Sequence, residues 1–373
     1  MRSKIIKNFF HKKKVLITGH TGFSGAWITY ILNYFGAYTY GLSLSEKNKN
    51  SFYNALDLKK KIKGEKLIDI RNKILTKKYI NKISPEIIFH LAAQPLVSEA
   101  YKNTSYTFET NVIGTINLLE ACKKLKKLKS IIVVTSDKCY KNFSIKKKIF
   151  KESDQLGAND PYSTSKAAQE LVVDTYREYI LKNQNFLIST ARAGNIIGGG
   201  DFAKDRIVPD FFRSLKTKNK LLIRNSNATR PWQFILDVVF GYLTLALKHK
   251  KNNQGSWNFG PNKNNFNVEK LINSLNSFNQ YKVKIIKQKN KIKESQYLAL
   301  DSSKSKRRLG WKPVYNVHEA LKLTSEWYNC INQKKKIDVC YKKAITGLFK
   351  KNKLNILKLK PLFLLYILNS QRY

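Results

Sequence analysis

Val15-Leu16-Ile17-Thr18-Gly19-His20-Thr21-Gly22-Phe23-Ser24-Gly25 decides the fold of this chain. A short apolar run reads as a buried strand, three small residues at GxxGxxG spacing read as a tight turn, and the apolar Ala26–Phe35 reads as a helix. Glycines in such a turn let the backbone approach a pyrophosphate, whose charge then meets the helix N-terminus. The spacing differs from the GxGxxG dehydrogenase fingerprint and suits short-chain dehydrogenases.

Outward from that stretch, apolar runs alternate with helical patterns at Tyr38–Leu42, Leu67–Ile70, Ile87–Ala92, Thr107–Cys122, Ile131–Ser136 and Ala167–Ile180. Alternation of this kind predicts parallel strands joined by crossover helices. Ile131-Ile132-Val133-Val134 is continuously apolar, as expected where helices cover both faces of a sheet. The predicted fold is therefore α/β, a Rossmann-like doubly wound parallel sheet with a smaller C-terminal substrate-binding lobe. After Arg192 the glycine and polar clusters at 194–201, 225–229 and 252–256 separate shorter elements. The boundaries read from this are 8–192 for a mainly NAD-binding domain, 193–330 for the lobe with some return of chain to the sheet, and 331–373 for a basic extension.

Composition narrows the classes. The 373 residues carry a formal net charge of +45, which raises nucleic-acid or anionic-membrane binding. Lysine far exceeds arginine and recurs on nearly every polar face, as a whole-chain bias would produce, and no zinc-finger spacing, basic zipper or RNA-recognition signature accompanies it. Specific nucleic-acid binding is not expected; nonspecific binding at low salt stays open. The four cysteines, Cys122, Cys139, Cys330 and Cys340, show no CxxC pair and no neighbouring His cluster, so neither a metal site nor a disulfide framework is indicated. No run reaches the length of a signal-peptide core or a membrane span, and a cytoplasmic location is expected. Pro361–Leu368 is apolar but short, suited to packing, oligomerisation or peripheral membrane contact.

Tyr162-Ser163-Thr164-Ser165-Lys166 follows the strand ending in Thr135-Ser136-Asp137. Spacing i to i+4 puts the phenol and the ammonium on one helical face. An ammonium beside a phenol favours the phenolate, so Tyr162 would act as a base nearer neutrality than its ordinary pKa of ~10 allows. Ser136 is positioned to hold a substrate hydroxyl. At the end of the second strand only Glu46 offers a carboxylate, either to an adenosine ribose or to solvent. Asp69-Ile70 offers a carboxylate and an apolar side chain to an adenine, or a cap to the next helix.

Six stretches together carry a family resemblance spanning Asn8 to Tyr328. They are Ile17–Phe23, Phe89–Val97, Thr135–Tyr140, Ala191–Asn195 with Gly198–Asp201, Arg230–Gln233 and Trp257–Pro261. The chain resembles the CDP-glucose 4,6-dehydratases of the extended short-chain dehydrogenase family, in which Ser136-Asp137-Lys138 stands where other sugar-nucleotide dehydratases have Thr-Asp-Glu. The resemblance implies bound NAD, a CDP-glucose substrate and a homodimer or homotetramer. It implies oxidation at C4 with Tyr162 and Lys166, loss of water across C5 and C6 with Asp137 as acid, and return of the hydride to C6. Lys138 would then serve as base at C5, as a positioning group, or as neither.

By the same resemblance the cofactor is held by Gly19, Thr21, Gly22, Phe23, Gly25, Asp69, Ile70, Leu91, Ala92 and Ala93, besides Tyr162 and Lys166. The sugar nucleotide is held by Gln94, Asn195, Arg206, Arg224, Arg230, Asn258 and Tyr297. Guanidinium forks match phosphate oxygens, Arg230 within Arg-Pro-Trp-Gln above all. Asn195 either gives its amide to a phosphate or sugar oxygen or caps its turn. Asn111 resembles the helix asparagine that supports the tyrosine and lysine, and reads equally as a buried polar group. The chain departs from the family at Ser144–Phe150, where a Trp-rich segment is usual, at Phe234, where relatives often have His, and at Gly157-Ala158, which replaces paired glycines.

Overall fold

The structure is a computed structural model that describes residues 2–142, 147–157, 159–218, 220–223, 225–263, 266–287 and 295–333, together with 345 and 347. Seven parallel strands form its central sheet: β1 (Lys14–Thr18), β2 (Tyr38–Ser43), β3 (Gly64–Leu67), β4 (Ile87–His90), β5 (Ser130–Val134), β6 (Leu187–Ala193) and β7 (Gly255–Phe259). Their spatial order is β7-β6-β5-β4-β1-β2-β3. The chain thus winds out from β1 to one edge, crosses back, and winds out to the other. The crevice lies where that direction reverses, beyond the C-terminal ends of β1 and β4.

Side-chain alternation explains why the strands are apolar throughout. Val15, Ile17, Phe89 and Ile132 join one buried cluster, while Leu16, Ile88, Ile131 and Val133 join the cluster on the opposite face. Helix α1 (Phe23–Tyr34) follows the glycine turn; α2 (Gly114–Cys122), α3 (Pro161–Thr175) and α4 (Ile235–Lys248) add to the two outer layers. At these buried positions a Leu or Ile to Ala change typically costs 2–5 kcal/mol.

Among the elements that differ from the sequence expectation, two border the central crevice. The third strand is Gly64–Leu67 rather than Leu67–Ile70. As an edge strand paired only with β2 it carries polar side chains, while Ile68 and Ile70, which produced the apolar signal, are buried just past its end. The helix expected over Thr107–Cys122 carries a wider, π-helical turn at Glu109–Ile113 before α2. Gly114 begins α2 where a Cβ would lie 2.6 Å from Ile70, so the helix packs directly on the loop after β3.

Beyond β6 the chain leaves the sheet. Ile196–Ile197 pairs with Gln233–Phe234, Leu221–Ile223 with Ile285–Lys287, and Ala299–Leu300 reaches back to Ile149–Phe150, all in parallel. Between these pairs α4 packs under the sheet and β7 extends it beside β6. Cys122 and Cys139 are free and buried, whereas Cys330 is disulfide-bonded, a pairing that the cysteine spacing did not signal. Among the described residues no helix is long and apolar enough to cross a membrane. Arg224, most of the 331–373 extension and part of the Ser144–Phe150 departure lie outside the described residues.

Candidate active site

A cavity of ≈ 1160 Å³ opens at the C-terminal ends of the strands, between the sheet and the segments that leave it. Its first end is built by the glycine turn. Gly19 adopts φ +72°, and a Cβ there would meet the backbone nitrogen of Ala92 at 2.8 Å, so only glycine lets this turn pass under the loop after β4. A Cβ on Gly25 would lie 2.0 Å from the Gly19 carbonyl oxygen, whereas one on Gly22 would meet that oxygen at 3.4 Å, an ordinary contact. Thr21 bolts the turn to the end of β2, its hydroxyl lying 2.8 Å from Ser43 Oγ and donating to the Leu44 carbonyl. Helix α1 then starts with Gly22 as N-cap and no side-chain cap, which leaves its amide end to an anion.

This arrangement separates two roles that the sequence merged. Gly25→Ala is expected to displace the turn, lowering the melting temperature together with NAD content. Gly22→Val is expected to keep the melting temperature but project into the cavity and abolish cofactor retention. Retention of NAD by folded Gly22→Val, read by chromatography of the released cofactor, would remove the turn from the binding site.

Further along the wall stand Asp69, Ile70, Leu91, Ala92 and Ala93, all lining the cavity with Thr21, Gly22 and Phe23. The Asp69 carboxylate is shared with Arg71, whose guanidinium also reaches Glu109, and this pairing holds Asp69 below the usual carboxylate range. A dinucleotide fits this end: the glycine cradle for a pyrophosphate, an apolar side chain and a carboxylate for an adenine.

At the opposite end, Asp160 caps α3 through the Ser163 amide at 2.9 Å, and Pro161 occupies the first turn. The start of the helix is thereby fixed, and Tyr162 and Lys166 both face the cavity. Lys166 Nζ donates to Gln169 Oε1 at 2.9 Å, Gln169 Nε2 donates to Thr115 Oγ1 at 2.8 Å, and the His90 ring completes the chain at 3.0 Å from the same hydroxyl. Burial brings Lys166 down to about 8 and His90 down to about 3. The ammonium is thus aligned by Gln169, one turn further along the helix, rather than by the phenol. Burial pushes Tyr162 up to about 12, opposed by a hydrogen bond with Ser136 and by the Arg206 charge.

Asp137 is buried, and its Oδ1 accepts from Ser136 Oγ at 3.1 Å. Its Oδ2 has no hydrogen-bond partner among the described residues. Burial raises its pKa, with Lys138 and Arg230 acting against the shift. A carboxyl so placed keeps its proton to higher pH, which is what a general acid requires. Beneath this loop Glu170 and Arg192 form a buried ion pair at 2.8 Å, and Glu170 also accepts from Thr135 and Thr190. The strand end that carries Ser136 and Asp137 is thereby tied to the helix that carries Tyr162 and Lys166.

Of the residues expected to hold a sugar nucleotide, Asn195, Arg206 and Arg230 line the cavity. Gln94, Asn258 and Tyr297 do not line it. Gln94 spends its side chain on Leu96 and Thr107. Asn258 donates to the Phe150 and Asp301 carbonyls and accepts from the Tyr140 hydroxyl. Tyr297 bridges Thr229 outside the cavity, and Arg224 lies outside the described residues. Asn111 is buried, pairs with the backbone of Gln94 on both sides, and donates to Ser165, whose hydroxyl bonds the Tyr162 carbonyl.

Sequence reading missed Gln169, Glu170 and Arg192. The first two stand seven and eight residues after Tyr162, on the same helical face, and Arg192 is a charge inside an apolar strand. Both are signals a sequence carries.

Residues 16–324 match the family model described as GDP-mannose 4,6 dehydratase. A CDP-glucose 4,6-dehydratase of Salmonella typhimurium is 35% identical over 358 residues, covering 92% of this chain and 98% of that protein. A dTDP-glucose 4,6-dehydratase of Haemophilus influenzae is 25% identical, covering 84% of this chain and 97% of that protein. Among solved structures, the UDP-glucose 4-epimerase of Thermotoga maritima with UDP-glucose superposes with a TM-score of 0.76 at 22% identity, over 86% of this chain and 99% of that one. A Thermus thermophilus UDP-glucose 4-epimerase in complex with NAD superposes with a TM-score of 0.74 at 19% identity, over 85% and 99%. The two solved structures share the fold.

Proposed function

The chain belongs to the GDP-mannose 4,6-dehydratase family, and we propose that it converts CDP-glucose to CDP-4-keto-6-deoxyglucose and water with bound NAD. The observation that carries this reading is the buried, half-unpartnered carboxyl of Asp137 beside Lys138, in the same cavity as Tyr162 and Lys166. A tyrosine and a lysine alone serve a 4-epimerase equally well; elimination needs an acid for the departing hydroxyl. Similarity to the Salmonella typhimurium enzyme supports CDP as the nucleotide.

NAD, held along the glycine turn and the wall from Asp69 to Ala93, supplies the two-electron acceptor and donor. Ser136 orients the glucose 4-hydroxyl, and Tyr162 takes its proton as a phenolate. Lys166, held by Gln169, lends its positive charge to the bound cofactor. The resulting 4-ketone acidifies the C5 hydrogen; Lys138, as the free amine, accepts that proton and gives it back to C5 when the hydride returns to C6. Asp137 gives its proton to the 6-hydroxyl, which departs as water. Arg206, Arg230 and Asn195 hold the pyrophosphate and sugar.

Self-association belongs to the same proposal. Ile113 at the end of the wider turn, Leu171 on α3, and Tyr179 and Ile180 just beyond it are exposed by 46%, 58%, 81% and 45%. Exposed large side chains grouped on adjoining helices suit a copy-to-copy interface. Light scattering is expected to give at least twice the 43.2 kDa chain mass; a monomer would reject this face. A cytoplasmic location, where free NAD is available, is the setting this chemistry implies.

The reading is tested by incubating purified protein with CDP-, dTDP-, UDP- and GDP-glucose. A 4-keto-6-deoxy product is expected from CDP-glucose well ahead of the others. Formation of only a C4 epimer from any of them would overturn it.

A further inference from the structure

Helix α4 contributes one aromatic hydroxyl to the cavity, that of Tyr242. The residue is fully buried, and its hydroxyl has no hydrogen-bond partner among the described residues. Leaving such a group unpaired costs ~1–3 kcal/mol. Phenylalanine would keep the edge-on contact with Phe259, whose ring centroid lies 5.5 Å away, without that cost. Packing therefore does not account for the oxygen.

Three more unpaired buried atoms line the same cavity: Thr110 Oγ1, Asn195 Oδ1 and Asp137 Oδ2. Tyr242 offers a donor, and of the three the Asp137 carboxylate is the one whose charge acts on its phenol. Burial above all, with the charges of Asp137 and Tyr162 adding to it, holds the proton on the Tyr242 phenol. Tyr242 is thus a neutral donor throughout the working pH range.

We propose that Tyr242 is a positioning residue for Asp137. Its hydroxyl donates to Oδ2 through one water and stabilises the carboxylate left when the 6-hydroxyl takes the proton. The bond that breaks is Asp137 O–H and then C6–O; water leaves, and Tyr242 keeps its own proton. The inference rests on the dehydratase reading given above. The groups that bear on Asp137 are Ser136 on Oδ1, the Lys138 and Arg230 charges, and Tyr162, Tyr242 and the buried Cys139 thiol, on which its own charge acts. Of these, Tyr242 stands on an element that carries no other proposed catalytic group.

A donor to the charged form lowers a carboxyl's pKa, so its removal leaves a weaker acid. In Tyr242→Phe, turnover of CDP-glucose is expected to fall roughly ten- to hundred-fold, the scale of one hydrogen bond to a charged group. Oxidation at C4 persists, so reduced nicotinamide absorbance builds up in a single turnover. The alkaline limb of the pH–rate profile moves to higher pH, and the melting temperature stays equal or rises. Parent turnover with an unmoved limb overturns the inference. So does a slower variant with a lowered melting temperature and no build-up of reduced cofactor, since that is the behaviour of a packing residue. Asp137→Asn in the same assay separates the two levels. If it accumulates reduced cofactor and Tyr242→Phe does not, only the role of Tyr242 falls; if Asp137→Asn turns over normally, the acid assignment itself falls.

Discussion

Tyr162→Phe is expected to fold normally, retain NAD and lose at least ~10²-fold in turnover, the lower end of the range for a general acid–base group. The ring is buried in the first turn of α3, and phenylalanine fills the same volume. Nothing in the Lys166–Gln169–Thr115 chain passes through the phenol oxygen, so the lysine keeps its place. What disappears is the only proton acceptor beside Ser136 that α3 supplies. The pH profile carries the sign. Burial pushes the phenol up to about 12, while Ser136 and Arg206 pull the other way. The active form is the phenolate, so the parent rate of C4 oxidation should increase as pH rises toward that value. The variant's residual rate should lack this dependence. Near-parent turnover by folded, NAD-loaded Tyr162→Phe would reject the mechanism.

Lys138→Ala and Asp137→Asn are expected to stop the reaction at a later point. Both leave Tyr162, Lys166 and the glycine turn in place, so oxidation at C4 continues while dehydration slows by roughly 10²-fold or more. Reduced nicotinamide should then accumulate, and solvent deuterium uptake at C5 should fall with product formation. Lys138→Ala dehydrating CDP-glucose at the parent rate, with no build-up, would make Lys138 a solvated residue of the loop.

Asp137→Asn has a second, opposite signature. Its pKa is raised in the folded protein, so the protonated form is the favoured one there. The stability it contributes is complete below the unfolded value of ~3.9 and is lost as pH rises through the folded value. The asparagine variant should therefore be more stable than the parent near neutrality, with the difference shrinking as pH falls toward 4. An inactive variant that gains stability is a mark of a group held for chemistry.

The glycine turn and the Tyr162–Lys166 spacing were legible in the sequence because each is a local rule: a turn that tolerates no Cβ at Gly19 or Gly25, and two side chains one helical turn apart. The parallel sheet was legible because continuous apolar strands have few other uses. The third strand was misplaced because an edge strand need not be apolar, while Ile68 and Ile70 are buried without being in a strand. Long-range pairings were the hardest to read. Gln94 and Asn258 stand in motif positions that suggest ligand contact, yet their amides bind neighbouring carbonyls and hydroxyls. Glu170 meets Arg192 across 22 residues, and Tyr242 reaches the cavity from α4, far along the chain from the glycine turn and the Tyr162 helix. Side-chain polarity tells that a group needs a partner; only the fold tells which.

Internal return of the hydride is the central claim, and isotopic labelling tests it. CDP-glucose carrying deuterium at C4 should yield a 4-keto-6-deoxy product with the deuterium at C6 and none released to solvent. Deuterium retained at C4 of a sugar that has kept its 6-hydroxyl would make the protein an epimerase and contradict the account.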